Sequence, residues 1–214
     1  MLEGNSMRDT ALEFWFEYGS TYTYLAVARI ASLAMASRIV VKWRPFLLMP
    51  IMIEQGLGDG PFLPYPNKLR YMWRDMERRA LRHRIPYRRP SIYPPKNTLL
   101  TARLGHLGQS EGWCTAFTKE VFRLHWTEDV TIGSDENIRR SLAIVGQDAN
   151  RALTIAQSFD NKMGLRRQTE MATSLGIFGS PTFIVGDEIF WGDDRLEDAV
   201  DCAVAARRAL EPPD

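Results

Sequence analysis

A chain of 214 residues, 45% hydrophobic and 25% charged, has the composition of a folded globular protein and not of a disordered or fibrous one. Size scaling gives such a chain about 10,000 Å² of surface when folded against roughly 35,000 Å² extended, enough burial for a core without disulfide or metal staples. Lys+Arg 27 against Asp+Glu 26 leaves a net charge of +1, which argues against a dedicated nucleic-acid binder.

Leu12–Tyr18 (LEFWFEY) reads as a first strand, rich in aromatics, with Glu13 and Glu17 on one face of the alternation. Gly19-Ser20 breaks it. From Tyr22 to Ala36 the apolar residues Tyr22, Leu25, Ala26, Ile30 and Leu33 recur at helical spacing, and Ile39–Trp43 (IVVKW) is a second strand stopped near Pro45. Strand, helix and strand in this order make a βαβ unit, whose strands run parallel through a right-handed crossover. Gly56–Pro66 is a Gly/Pro-rich loop, and Asn67–Arg84 is a basic amphipathic helix in which Asp75 and Glu77 interrupt the arginines. That pattern reads first as a solvated face. Beyond the proline-rich stretch from Pro86 to Pro95, helices are expected at Thr98–Leu107, Thr115–Leu124, Ser134–Val145, Ala149–Lys162 and Leu165–Leu175. Strand signals return at Thr182–Val185 and Glu188–Trp191, flanking the hairpin pair Gly186-Asp187. A last amphipathic helix follows Asp193-Asp194. The order βαβ, helical block, ββα is that of an α/β thioredoxin fold interrupted by a large all-helical insertion. The expected division is 12–50 with 177–210 as the thioredoxin-like domain and 51–176 as the insertion.

Cys114 and Cys202 lie far apart and form no CxxC, so neither a zinc site nor a dithiol redox centre is expected. His83, His106 and His125 form no HExxH face, and no metal is expected. The polar stretch from Met1 to Ala11 lacks the apolar core of a secretory signal, and no run of about 18 apolar residues occurs, so a cytoplasmic protein is expected. Gly56-x-Gly58-x-Gly60 is not a dinucleotide fingerprint, and no GxSxG elbow is present.

Four places can carry chemistry, each with a structural reading beside the functional one. Open sheets bind ligands beyond the carboxyl ends of their strands, and the Gly19-Ser20-Thr21 turn offers a hydroxyl and free N–H groups at a helix start, a setting for an anion or thiolate. Equally, Ser20 is a standard N-cap. In Gly179-Ser180-Pro181-Thr182, a cis bond before Pro181 would turn the Ser180 backbone toward the Ser20 turn. An ordinary trans proline opening a strand is the alternative. Asp193 and Asp194 suit the dipole of the following helix, or one of them holds a ligand ammonium. Lys68 either meets a ligand carboxylate or sits on a solvated helix face.

Taken together, these segments resemble the 2-hydroxychromene-2-carboxylate isomerase family, a DsbA-like group close to kappa-class glutathione transferases. The resemblance runs from Leu12 to about Ala209. It rests on Phe14 to Ser20 (FWFEYGS), Tyr24-Leu-Ala26, Trp43 to Leu48 (WRPFLL), Lys68 with Tyr71 and Asp75, Ile85-Pro86, Gly179 to Phe183 (GSPTF), Gly186-Asp-Glu188 and Trp191 to Leu196 (WGDDRL). It implies a cis Pro181, bound glutathione and a homodimer. Ser20 matches the family's catalytic serine, standing where a redox cysteine sits in DsbA-like oxidoreductases. By the same likeness the Ser180 backbone pairs with the cysteinyl backbone of glutathione. Asp194 meets its γ-glutamyl ammonium, Asp193 lies near the γ-glutamyl carboxylate, and Lys68 lies near the glycyl carboxylate. The implied reaction is reversible addition of a Ser20-stabilised glutathione thiolate to an aromatic pyruvate, with Tyr22, Trp43, Tyr71 and Trp191 as candidate walls. The chain departs from the pattern at Thr21, where members often carry proline, and at Asp59, near an Asn position of kappa-class relatives. Glutathione transfer, thiol–disulfide exchange and non-catalytic glutathione binding are the competing readings.

Overall fold

The computed structural model describes residues 11–58 and 60–210. Its sheet has four strands in the order β2-β1-β3-β4. β1 (Leu12–Phe16) runs parallel to β2 (Val41–Pro45), with Leu12 opposite Val41 and Phe16 opposite Pro45. β3 (Thr182–Val185) is antiparallel to β1, and β4 (Glu188–Trp191) is antiparallel to β3. The β3–β4 hairpin turns on Gly186, whose φ of +58° suits the first position of a two-residue hairpin loop. α1 (Thr21–Ala36) makes the crossover between β1 and β2. α9 (Leu196–Arg208) closes the chain after one 3₁₀ turn, Asp193–Arg195.

The alternation along β1 divides its side chains between two covered faces. Leu12, Phe14 and Phe16 join Trp43 and Phe183 in the main core with Leu25 and Ile30 of α1 and Leu196, Ala199 and Val200 of α9. Trp15, on the opposite face, packs with Phe46, Ile51, Ala172, Ile177 and Ile184. Between β2 and β3 the described chain is helical: α2 (Leu48–Glu54), α3 (Pro66–His83), α4 (Thr98–Glu111), α5 (Cys114–Glu128), α6 (Asp135–Ile144), α7 (Ala149–Ala156) and α8 (Phe159–Ser174). This block shares the main core of the sheet. Tyr18, just after β1, stacks on Phe122 of α5 at 5.8 Å, and Tyr24 of α1 stacks on Trp126 at 5.1 Å with planes 6° apart.

Three expectations need correction. The span Ala149–Lys162 is two helices, because Ser158 accepts from the Asn161 N–H and starts α8. The Asn161 amide then donates to Ala156 C=O, at the end of α7, and to Arg103 C=O, both at 3.0 Å. The second strand begins at Val41 and not at Ile39, whose N–H closes the end of α1 on Ala34 C=O at 2.8 Å. α2 was unexpected; its seven residues include Pro50, in its first turn where no backbone donor is needed. Among the described residues no helix is long and apolar enough to cross a membrane.

Candidate active site at the Ser20 turn

β1 delivers the turn Glu17-Tyr-Gly-Ser20 to the carboxyl edge of the sheet, and α1 starts at Thr21. Ser20 has the dihedrals of an N-cap (φ −79°, ψ 124°), yet its hydroxyl caps nothing. It donates instead to the Ser180 C=O at 2.8 Å. Ser134, Asp148 and Ser158 show what capping looks like in this chain: each side chain accepts from the N–H three residues on. The two readings of Ser20 are thereby separated. Its hydroxyl faces away from the helix and toward the proline turn.

The Ser180–Pro181 peptide is cis. The Ser180 hydroxyl accepts from the Glu17 N–H at 2.9 Å and pairs with the Thr23 hydroxyl at 3.0 Å, which clamps the proline turn to both ends of the Ser20 turn. Pro181 C=O accepts from the Gly192 N–H at 2.9 Å, tying in the loop that carries Asp193 and Asp194. Ser20, Ser180, Pro181 and this loop therefore form one connected unit. Beside it a narrow crevice is lined by Ser20, Thr21, Trp73, Tyr93, His125 and Trp126, among others. Burial holds His125 down to about 4, so its ring is neutral at physiological pH.

The two aspartates are placed differently. Asp193 is 2% exposed, and its carboxylate accepts from Arg79 Nε at 2.8 Å and Arg29 at 3.4 Å. Burial pushes its pKa up to about 6 against the pull of the guanidiniums, which leaves it ionised at neutrality. Arg29 also grips Glu197 of α9, so Asp193 sits at a junction of α1, α3 and α9. Arg79, expected on a solvated face, is thus an internal ion-pair partner. Asp194 is at the surface, touched by Arg195 at 3.3 Å. Lys68 is exposed on the first turns of α3, its ammonium 5.4 Å from the Phe62 ring and 5.9 Å from the Tyr65 ring. It lies one helical turn before Met72, whose sulfur accepts from the Thr21 hydroxyl at 3.4 Å. No contact joins Lys68 to the Ser20 turn. Asp59 lies outside the described residues.

Of the aromatics, Trp43 packs edge-on against Phe14 and Phe16 in the core and does not line the crevice. Tyr22 donates to Asp75 at 2.9 Å, Tyr71 is exposed, and Trp191 is half exposed with its edge on Phe178. Sequence reasoning left Glu17 as a strand residue only. In the structure its partly buried carboxylate accepts from the Gly19 N–H at 2.7 Å inside the turn, and burial raises its pKa to about 7. The signal was available: an acid at the end of an aromatic strand, three residues before the hydroxyl.

The unit can receive an extended peptide at the Ser180 backbone and an anion at the start of the 16-residue helix α1. It has no nucleophilic thiol of its own. Cys114 is buried, which pushes its thiol up to about 12, and Cys202 lies on α9 with its pKa likewise raised by burial.

The profile of the DSBA-like thioredoxin domain family matches residues 11–202. The chain belongs to this family. Within the DSBA-like family, its likeness to 2-hydroxychromene-2-carboxylate isomerases is borne out by curated relatives. The enzyme of that name from Sphingobium xenophagum is 26% identical over 186 residues, 87% of this chain and 94% of the relative. The one from Pseudomonas putida is 25% identical over 186 residues, 86% of this chain and 90% of the relative. A solved selenomethionine structure of a 2-hydroxychromene-2-carboxylate isomerase matches with a TM-score of 0.81 at 25% identity, covering 94% of this chain and all of the other. These matches span the helical block as well as the sheet, so the insertion is common to this DSBA-like chain and those isomerases.

Proposed function

We propose that this protein is a glutathione-dependent isomerase acting on a ring-opened aromatic pyruvate. The observation that carries the reading is the Ser20 hydroxyl, turned out of its helix toward the Ser180 carbonyl. Isomerase relatives over nearly the full chain support the reaction class.

In this reading the Ser20 O–H rotates from the Ser180 C=O to the ligand's sulfur. That single movement frees the carbonyl to accept the cysteinyl N–H of glutathione. A hydrogen bond to a charged group contributes about 1.5–3 kcal/mol, or roughly one to two pKa units. A free thiol of pKa about 8.5 then becomes mainly thiolate near neutrality, with the start of α1 adding to the effect. The sulfur pair adds to the conjugated C=C, whose electrons move to the ketone oxygen. The remaining single bond rotates, and collapse of the enolate expels the thiolate and restores the double bond. This is nucleophilic catalysis with a borrowed nucleophile. Asp194 is assigned to the γ-glutamyl ammonium and Lys68 to the glycyl carboxylate. Asp193, occupied by Arg29 and Arg79, contributes through its backbone and by holding the loop. A cytoplasmic homodimer completes the proposal.

The test is turnover of an aromatic pyruvate with mass analysis of the product. A product of unchanged mass, formed only with glutathione present and leaving glutathione unconsumed, is expected. Turnover without glutathione, or an accumulating conjugate as a transferase would give, would overturn it.

A further inference from the structure

Glu17 and Asp193 are both drawn in from the surface near the Ser20 turn, and the fold treats them in opposite ways. Asp193 is neutralised by Arg79 and Arg29. Glu17 has no arginine or lysine paired with it among the described residues. Its neighbours are neutral: the Gly19 N–H at 2.7 Å, the Ser20 N–H, the Thr98 hydroxyl at the start of α4, and the phenols of Tyr18 and Tyr93. A carboxylate held partly out of water without a cation is costly, and such groups gain a proton more readily. This one sits inside the turn that presents Ser20, on the strand end that also hydrogen-bonds to Ser180.

We propose that Glu17 is the proton acceptor for the ligand thiol: on binding, the S–H bond breaks, its electron pair stays on sulfur, and the proton bonds to a Glu17 carboxylate oxygen. This rests on the glutathione reading above and adds to it where the proton goes. The transfer leaves the net charge of the site unchanged, with a neutral carboxyl next to the thiolate in place of a second anion. It is close to even in free energy, because a carboxyl that titrates at about 7 faces a thiol already lowered toward that value by Ser20 and the helix. When the thiolate leaves the enzyme or is quenched, the same carboxyl returns the proton. Tyr18 and Tyr93 do not compete for it, since burial raises both phenols above their ordinary range.

Calorimetric titration of the full-length protein with glutathione at about pH 7.5, in two buffers of different ionisation enthalpy, counts the protons released to solvent, and ultraviolet absorbance reports the thiolate. For the wild type the expected release is close to zero, with thiolate absorbance present. For Glu17→Gln, which keeps the shape and the acceptor oxygen, the expected release rises to about one proton per thiolate formed. Equal release from the two proteins would overturn the role of Glu17 while leaving glutathione binding intact. Absence of any binding heat in the wild type would overturn both. If Glu17→Gln does not fold, the wild type alone decides: thiolate with near-zero release supports the proposal, and thiolate with about one proton released contradicts it.

Discussion

The Ser20 hydroxyl has one proton to donate, and it gives it to the Ser180 carbonyl. Donor and acceptor thus satisfy each other, and neither is left unpaired. Glu17 and Asp193 show how two acids a short way from this pair are held by opposite means. Replacing Asp193 by Ala leaves Arg79 charged without its carboxylate and Arg29 with Glu197 alone, their side chains 16% and 8% exposed. Breaking a buried pair in this way is expected to cost about 3–5 kcal/mol in urea unfolding, with Asp193→Asn costing less because the amide oxygen still accepts. Glu17 supplies a pH signature instead. Its folded value is about 7 against an ordinary 4.5, so between these values the folded protein holds a proton that the unfolded chain has lost. Stability therefore falls as pH rises through that window and levels off above it. The wild type is expected to lose roughly 1–2 kcal/mol more than Glu17→Gln across the window, after allowance for solvent at the edge of the group. Parallel profiles for the two proteins would contradict this.

Elements were legible where local signals are strong. Both strands of the terminal hairpin fall where alternation and Gly186-Asp187 placed them, and α3 differs by one residue at each end. The split between α7 and α8 was not legible, because the apolar spacing runs on across it. Asn161 reaching Arg103, 58 residues away, is a tertiary bond that periodicity does not carry. Ser158→Ala removes the cap of α8 and is expected to cost about 1 kcal/mol, read as a lowered urea midpoint at unchanged slope. An unchanged midpoint would mean that the Asn161 bridge alone holds the break. β2 slipped by two residues for a related reason: Ile39 looks like strand in sequence, but its N–H is taken by the end of α1.

At the scale of the molecule, the fold class and the order of its parts were readable, and the residues of the turns placed the chain among isomerase relatives before any contact was known. What could not be read was direction. Ser20 and Ser180 are 160 positions apart, and nothing local says which way a hydroxyl turns. The same holds for Arg79, whose partner lies 114 residues away, and for Trp43, which sequence left between wall and core. The site is made where the two halves of a thioredoxin frame meet, and the helical block covers it with Trp73, Tyr93 and Trp126. In the function proposed above, the protein supplies the hydroxyl and the helix start, and the ligand supplies the sulfur. The most direct check is the ultraviolet titration of glutathione bound to the wild type and to Ser20→Ala. The account predicts a bound thiol pKa below the ordinary value of about 8.5 in the wild type, raised by one to two units in the variant. The same pKa in both proteins, with glutathione bound in each, would contradict it.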